Sequence, residues 1–401
     1  MSTKREKRLT RILKTIVWYT LLTLYHLTFG LYLRIIYNLK RTPDSEPLPK
    51  GPFVLLGNHC NNFDGPLLQC LLMRPVLFVI TNTVFNNRAL GALLSWMGYI
   101  PKRKFTSDVT AVRQIIRTAE SGGIIGIFPE GMRSWDGRSV PITSGTFKLI
   151  HMLKVPVVTA HIMGSYLSGP RWADTRRRGR VEVRLTTVID AQAIRSLSLK
   201  EVTARISASL FHDEASWEAR KHIPFRGKAL AEGFERLLYL CPECRRIGTI
   251  VTHQRRICCS ACSAEYELDL YGSIRSHRGN LPADNAASLN AWQYERFKEY
   301  IASHTGETLL RDECAHLSCI ADPDGVTGEV SVGTLNLTRS ALIIQNLCFR
   351  LSDITGVALN FKSGLMFRHG SREYAVHFDD PRVSVHKWGC AFEIITGNRV
   401  G

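Results

Sequence analysis

The chain has 401 residues, 45% hydrophobic and 22% charged, an ordinary balance for a folded protein with room for a large domain and one or two small ones. Lys and Arg number 52 against 35 Asp and Glu, and a net charge of +17 suits an anionic membrane, anionic substrates or nucleic acid. No aromatic RNA-binding strand motif is present, so nucleic acid is set aside; eleven Cys, four at metal-ligand spacing, argue against a disulfide framework and for a reducing compartment.

Residues 1–14 carry Lys4, Arg5, Lys7, Arg8, Arg11 and Lys14 against Glu6 alone. Thr15 to Leu33 then contains no Asp, Glu, Lys or Arg, long enough to span a bilayer. Thr20, Thr23, His26, Thr28 and Gly30 dilute it, and basic residues at both ends leave its orientation open. Trp18, Tyr19, Tyr25, Phe29 and Tyr32 suit a helix lying in the interface. The expectation for residues 1–44 is a membrane-attached helix, shallow or re-entrant, on the cytoplasmic face; a buried soluble helix is the alternative.

Residues 45–190 alternate apolar runs (Phe53–Leu56, Val76–Ile80, Ile124–Phe128, Val155–Ile162, Val181–Val188) with helical patterns such as Asp108–Ala119, which predicts an α/β fold. The chemistry-bearing residues follow the apolar runs, where such sheets place their sites. After the first run comes Asn58-His59-Cys60-Asn61-Asn62-Phe63-Asp64. Five helical residues turn by about 500°, so His59 and Asp64 meet only where a loop runs into a helix start. A His held by a carboxylate is poised as a general base, and with no G-x-S-x-G elbow nearby the proton removed comes from the substrate's own hydroxyl. The plainer reading makes His59 a hydrogen-bonded loop residue and Asp64 a helix cap. Cys60 reads as apolar filler rather than a nucleophile.

Further on, Lys102, Arg103 and Lys104 form a cationic cluster within Gly98-Tyr99-Ile100-Pro101-Lys102-Arg103-Lys104. Phe128-Pro129-Glu130-Gly131-Met132-Arg133-Ser134 adds a guanidinium, whose planar donors match phosphate oxygens. Val155-Pro156-Val157-Val158-Thr159 follows. In this order and spacing, residues 45–190 resemble the glycerophospholipid acyltransferase superfamily, the PlsC-like enzymes that include 1-acylglycerol-3-phosphate acyltransferases, with their H-x4-D, G-x4-R, F-P-E-G-x-R-S and V-P-V-like blocks. The resemblance implies His59 as base, Asp64 as its orienting partner, Arg103 and Arg133 on the acceptor's phosphate with Lys102 and Lys104 beside them, and Glu130 and Gly131 shaping the acceptor site. It implies acyl transfer from an acyl-CoA or acyl carrier protein thioester to a lysophospholipid. The acceptor most in keeping is 1-acylglycerol 3-phosphate, giving phosphatidic acid. Glycerol 3-phosphate, an amino-acid lyso-lipid, or a non-catalytic membrane scaffold on a vestigial domain are the alternatives.

Arg176-Arg177-Arg178-Gly179-Arg180 is a basic patch for anionic headgroups or solvent. Residues 192–240 read as helical, resuming after Pro224 at Ala229–Leu240. Cys241-Pro242-Glu243-Cys244 and Cys259-Ser260-Ala261-Cys262 are two C-x2-C turns 14 residues apart, offering four thiolates to a tetrahedral metal, structural Zn2+ ahead of Fe. Cys258 competes with Cys259 as a ligand. This resembles a zinc ribbon. A helix is predicted at 284–303, then strands from Gly333 and a closing helix over Val383–Ile395, loosely resembling a pleckstrin-homology (PH) or GRAM domain. The predicted order is thus residues 1–44 basic and membrane-associated, 45–230 PlsC-like, 231–275 zinc-ribbon-like, 276–330 helical linker and 331–401 PH/GRAM-like.

Overall fold

The computed structural model describes residues 4–103, 105, 108–321 and 327–400. The chain forms two compact units, the first made of residues 1–134, 138–168 and 178–217 and the second of 135–137, 169–177 and 218–401. The first unit thus ends at Trp217, and residues 135–137, 169–177 and 218–230 of the expected acyltransferase stretch belong to the second unit.

In the first unit, α1 (Lys4–Leu27) and α2 (Phe29–Ile36) lead into β1 (Lys40–Arg41), β2 (Phe53–Gly57), α3 (Asp64–Leu71), β3 (Val76–Thr81), α4 (Arg88–Met97), β4 (Ile100–Lys102), α5 (Val109–Glu120), β5 (Ile124–Ile127), α6 (Ser144–Leu153), β6 (Val157–Met163), α7 (Ser165–Ser168), β7 (Glu182–Ile189), α8 (Ala193–Ser196), α9 (Leu199–Leu210) and the start of α10 (Glu214–Lys221). The seven strands order as β1-β7-β6-β2-β5-β3-β4. β6, β2, β5, β3 and β4 are parallel; β7 runs antiparallel to β6, and β1 parallel to β7.

The long apolar runs make these strands because both faces of the sheet are covered. All five residues of β2 are buried. Phe53 and Leu55 pack with Tyr37, Leu67, Leu68 and Phe78 on one side. Val54 and Leu56 pack with Ala111, Ile115, Phe147 and Ile206 on the other. Because β2, β4, β5 and β6 are parallel, residues 58–64, 103, 128–134 and 164–165 leave the sheet at one edge, and the site gathers there.

The uncharged N-terminal stretch is two helices, not one, broken at Thr28. Thr15–Ile36 is long and apolar enough to cross a membrane by length and composition, but one face is docked on the domain. Trp18 Nε1 donates to Met97 O at 3.0 Å, Tyr25 Oη to Pro66 O at 2.6 Å, and the Arg34 guanidinium to Cys70 O. The opposite face leaves Ile16, Leu24, Leu27, Leu31, Tyr32 and Ile35 exposed.

The second unit holds a four-stranded antiparallel sheet of β8 (Ile250–His253), β9 (Arg256–Cys259), β10 (Glu265–Leu268) and β11 (Ile274–Arg278). Helix α11 (Ala286–Ser303) follows. A seven-stranded antiparallel sheet comes next: β12 (Leu310–Ala321), β13 (Gly328–Leu337), β14 (Ala341–Ile344), β15 (Leu347–Arg350), β16 (Ile354–Asn360), β17 (Gly364–His369) and β18 (Arg372–Phe378), ordered β15-β14-β13-β12-β18-β17-β16. Helix α12 (Val385–Thr396) packs on β16 and β17. Asp312 on β12 ties it down, accepting from Lys387 Nζ at 2.8 Å and Trp388 Nε1 at 2.6 Å.

Two expectations are corrected here. The helix predicted at 284–303 forms as Ala286–Ser303, but the stretch assigned to the linker up to 330 already enters the sheet at Leu310; the charges of Arg311, Asp312 and Glu313 mask a strand whose buried alternation is Ala315, Leu317, Cys319. Ala229–Leu240 is not an α-helix but turns around a short 3-10 segment, Phe234–Arg236. Gly233 sits at φ +90°, and most of the stretch is buried, so its apolar spacing reflects enclosure rather than a helix face. Of the arginine run, Arg176 and Arg178 are exposed, while Arg177 is buried and donates to Leu230 O, and Arg180 pairs with Glu182 at 3.2 Å.

Candidate active site and metal centre

Asp64 is the first residue of α3, and its buried carboxylate organises the loop before it. Its Oδ2 accepts from His59 Nδ1 at 2.9 Å and from the amides of Cys60 and Asn61 at 2.8 Å each. Its Oδ1 accepts from Ser165 Oγ at 2.5 Å. His59 and Asp64 thus meet in the way a loop entering a helix allows. The bond to Asp64 assigns the imidazole proton to Nδ1 and leaves Nε2, on a ring 22% exposed, as the basic nitrogen.

The His59 ring is held by stacking as well. Phe128 lies at 4.3 Å between ring centroids and 23° from parallel, and Phe78 stacks behind Phe128 at 5.8 Å. Gly126 permits this: a Cβ there would sit 2.3 Å from a Phe78 ring carbon.

The loop after β5 closes on the dyad from the neighbouring strand. Glu130 Oε1 accepts from the His59 amide at 3.3 Å and its Oε2 from the Val140 amide at 3.0 Å. Gly131 takes φ +74°, the left-handed turn that an L side chain resists. Ser134 N donates to His59 O at 2.9 Å. Burial pushes the Arg133 guanidinium below its ordinary value, partly offset by the fields of Asp64 and Cys60, so this cation lies within electrostatic reach of the dyad. Lys102 and Arg103 reach the same sheet edge at the end of β4, exposed, with the Arg103 amide donating to Asp108 at 3.0 Å. Among the described residues neither hydrogen-bonds to the dyad. Lys104 lies outside the described residues.

Sequence reasoning missed Asn58 and Ser165. Asn58 clips the loop to β6, donating to Ile162 O at 2.8 Å and accepting from Ile162 N at 2.7 Å. Ser165 contacts Asp64 across 101 positions, a separation at which no local pattern signals the pair. What this site can do chemically is deprotonate a hydroxyl at His59 Nε2 with the Arg133 cation in its neighbourhood.

In the second unit, Cys241, Cys244, Cys259 and Cys262 bring four Sγ atoms within 4.8 Å of one another. Cys241–Cys262 and Cys244–Cys259 are 3.7 Å apart. A tetrahedron with Zn–S bonds of about 2.3 Å has edges of about 3.8 Å, so the four thiols fit one tetrahedral ion. Cys259, not Cys258, completes the set. The two turns share one construction: Cys241 and Cys259 each donate their N–H five residues on (Arg246 O, Ala264 O) and accept from the residue four on (Arg245, Ser263), which is left-handed at φ 58° and 59°. No disulfide engages any of the four.

Comparison with known proteins bears on the first unit. Residues 38–163 match the profile of the family described as Acyltransferase. The chain is 29% identical over 139 residues to a chloroplastic 1-acyl-sn-glycerol-3-phosphate acyltransferase of Brassica napus, covering 34% of this chain and 39% of that protein. It is 26% identical over 137 residues to the 1-acyl-sn-glycerol-3-phosphate acyltransferase of Bacillus subtilis, covering 33% and 68%. The crystal structure of the 1-acyl-sn-glycerophosphate acyltransferase PlsC from Thermotoga maritima aligns with 51% of this chain and 94% of its own, at 18% identity and a TM-score of 0.38. The chain spans about two fifths of the length of the chloroplastic relatives it matches.

Proposed function

We propose that this chain, whose residues 38–163 match the acyltransferase family, transfers a fatty acyl group from a thioester, on coenzyme A or acyl carrier protein, to the hydroxyl of a lysophospholipid at a membrane surface. The acceptor is 1-acylglycerol 3-phosphate and the product phosphatidic acid. The observation that carries this reading is the His59–Asp64 dyad, Nδ1 committed and Nε2 available, beside the Glu130–Arg133 loop.

In the proposed reaction His59 Nε2 removes the proton from the acceptor hydroxyl as its oxygen attacks the thioester carbonyl. Asp64 holds the ring and balances the imidazolium. The tetrahedral intermediate collapses with C–S cleavage, and the proton on Nε2 passes to the departing thiolate. No acyl-enzyme forms. Arg133 binds the acceptor phosphate, with Arg103 and Lys102 extending the cationic rim, so that binding energy positions the hydroxyl.

The exposed faces of α1 and α2 supply the membrane contact, lying on the cytoplasmic surface rather than spanning it. Charge supports this: residues 1–230 hold 34 of the Lys and Arg against 15 acids, while 231–401 hold 18 against 20. In the second unit the four Cys hold a structural Zn2+, and the β12–β18 sheet with α12 is a PH-like module.

The test is product formation by purified protein from labelled acyl-CoA and acyl carrier protein, offered 1-acylglycerol 3-phosphate, glycerol 3-phosphate and amino-acid lyso-lipids. Transfer to 1-acylglycerol 3-phosphate is the expected result. Transfer to another acceptor keeps the chemistry and moves the substrate; no transfer from either donor overturns the reading in favour of a non-catalytic scaffold. Arg133→Lys should raise KM for a phosphate-bearing acceptor about 10- to 100-fold, the worth of a charge-assisted hydrogen bond, with a smaller change in kcat. An unchanged KM removes Arg133 from phosphate binding.

A further inference from the structure

Outside the dyad, the first unit contains a run of titratable groups, buried at His212 and Glu214, that acyl transfer does not use. His161 on β6 and Arg184 on β7 pair across the antiparallel strands, and the Arg184 guanidinium donates to His161 Nδ1 at 3.2 Å. His161 Nε2 lies 2.9 Å from His212 Nδ1, and His212 Nε2 hydrogen-bonds to Glu214 Oε2. His212 and Glu214 are each 2% exposed. A guanidinium only donates, so His161 Nδ1 accepts and its proton is assigned to Nε2. That N–H donates to His212 Nδ1, which leaves the His212 proton on Nε2, facing the carboxylate. The direction of the run is set from both ends.

Two arms lead from this turn to the dyad. Glu214 Oε1 accepts from Leu167 N at 3.4 Å, in the short helix α7 whose Ser165 donates to Asp64. On the other side, His212 O accepts from Ser139 N at 2.9 Å, His212 N donates to Ser139 Oγ at 2.9 Å, and Arg138 pairs with Asp213 at 3.0 Å. The next residue, Val140, donates to Glu130 Oε2. We propose that His212 and Glu214 are positioning residues for acyl transfer, bracing Asp64 through α7 and Glu130 through residues 138–140. The proposal rests on the acyltransferase reading above.

The experiment compares wild type, Glu214→Ala, Glu214→Gln, Ser165→Ala and the Glu214→Ala/Ser165→Ala double variant, all full-length. Glu214→Gln keeps the volume but faces one of its two donors with an NH2 group, so it serves if Glu214→Ala does not fold. Both Glu214 variants should lower kcat about 10-fold or more, as supporting groups around catalytic ligands do. The loss in the double variant should fall short of the sum of the two single losses, because the residues share the arm through α7. Hydrogen exchange supplies a readout independent of turnover. The amides of Cys60, Asn61 and Val140 should exchange faster in Glu214→Gln while the protected amides of α9 keep their rates. Folded Glu214 variants with wild-type kcat and unchanged exchange at these three amides, or strictly additive losses in the double variant, overturn the proposal. A wild type that transfers to no acceptor, yet shows the exchange change, removes the acyltransferase reading and leaves the brace standing.

Discussion

His59→Ala should lower kcat by roughly a thousandfold, the middle of the range for loss of a positioned general base, while the protein melts at nearly the wild-type temperature. The two halves of this expectation have separate causes. Without the imidazole nothing in the dyad takes the acceptor proton, because the Asp64 carboxylate is fully buried and engaged by backbone amides and Ser165. Stability survives because the substitution removes only one of four donors from that carboxylate. Three remain, so no buried acceptor is orphaned and the desolvation cost that makes such losses severe does not arise. The lost stacking on Phe128 concerns a ring already 22% exposed. KM for the acceptor should change little, since Arg133 and the Glu130 loop are untouched. The measurement is steady-state kinetics beside a thermal melt. A folded variant retaining a tenth or more of wild-type kcat would assign the base elsewhere.

Removing the metal should have the largest effect on stability. Full-length protein is expected to carry one Zn2+ per chain by elemental analysis. A strong chelator, or Cys241→Ser, should abolish the hydrogen-exchange protection of residues 241–279. The reasoning starts from how little else holds this region. β8 to β11 are four or five residues each, and the sheet buries Ile250, Ile257, Tyr266, Leu268 and Ile274 but few other large apolar side chains. Folds this small rely on a staple. Four thiols within 4.8 Å of one another, on turns that each hold a non-glycine residue at positive φ, have no apolar reason to converge. A bound ion supplies one, because structural zinc contributes on the order of 10 kcal/mol to the folding of such sites. Metal-free protein that keeps protection across 241–279 would make the four-Cys cluster packing rather than coordination. Iron in place of zinc would keep the structural role and change the metal.

Much of the first unit was legible before folding was considered. Strands β2, β3, β5, β6 and β7 were found because each is covered on one or both faces and reads as an apolar run. α5 was found because its period is helical and Asp108 caps it, accepting from Ala111 N at 3.0 Å. The dyad was legible because its partners are five residues apart. β1 and β4 were not, being two and three residues long. β12 was obscured by charge, and the burial of Ala229–Leu240 imitated a helix.

By itself the sequence determined what is local: that the long apolar runs form strands, that His59 and Asp64 share one loop, and that two C-x2-C turns present four thiols. Neighbours along the chain stay near one another in any compact state, so spacing alone carries those relations. Tertiary structure alone decided the rest. It brought Ser165 to Asp64, Glu130 to the His59 amide and Val140, Arg184 to His161, and His212 between His161 and Glu214. It also chose Cys259 over Cys258 and split the uncharged N-terminal stretch into two docked helices. These contacts depend on strand order, which places the ends of four parallel strands at one edge, and strand order is settled by how the whole sheet buries its two faces.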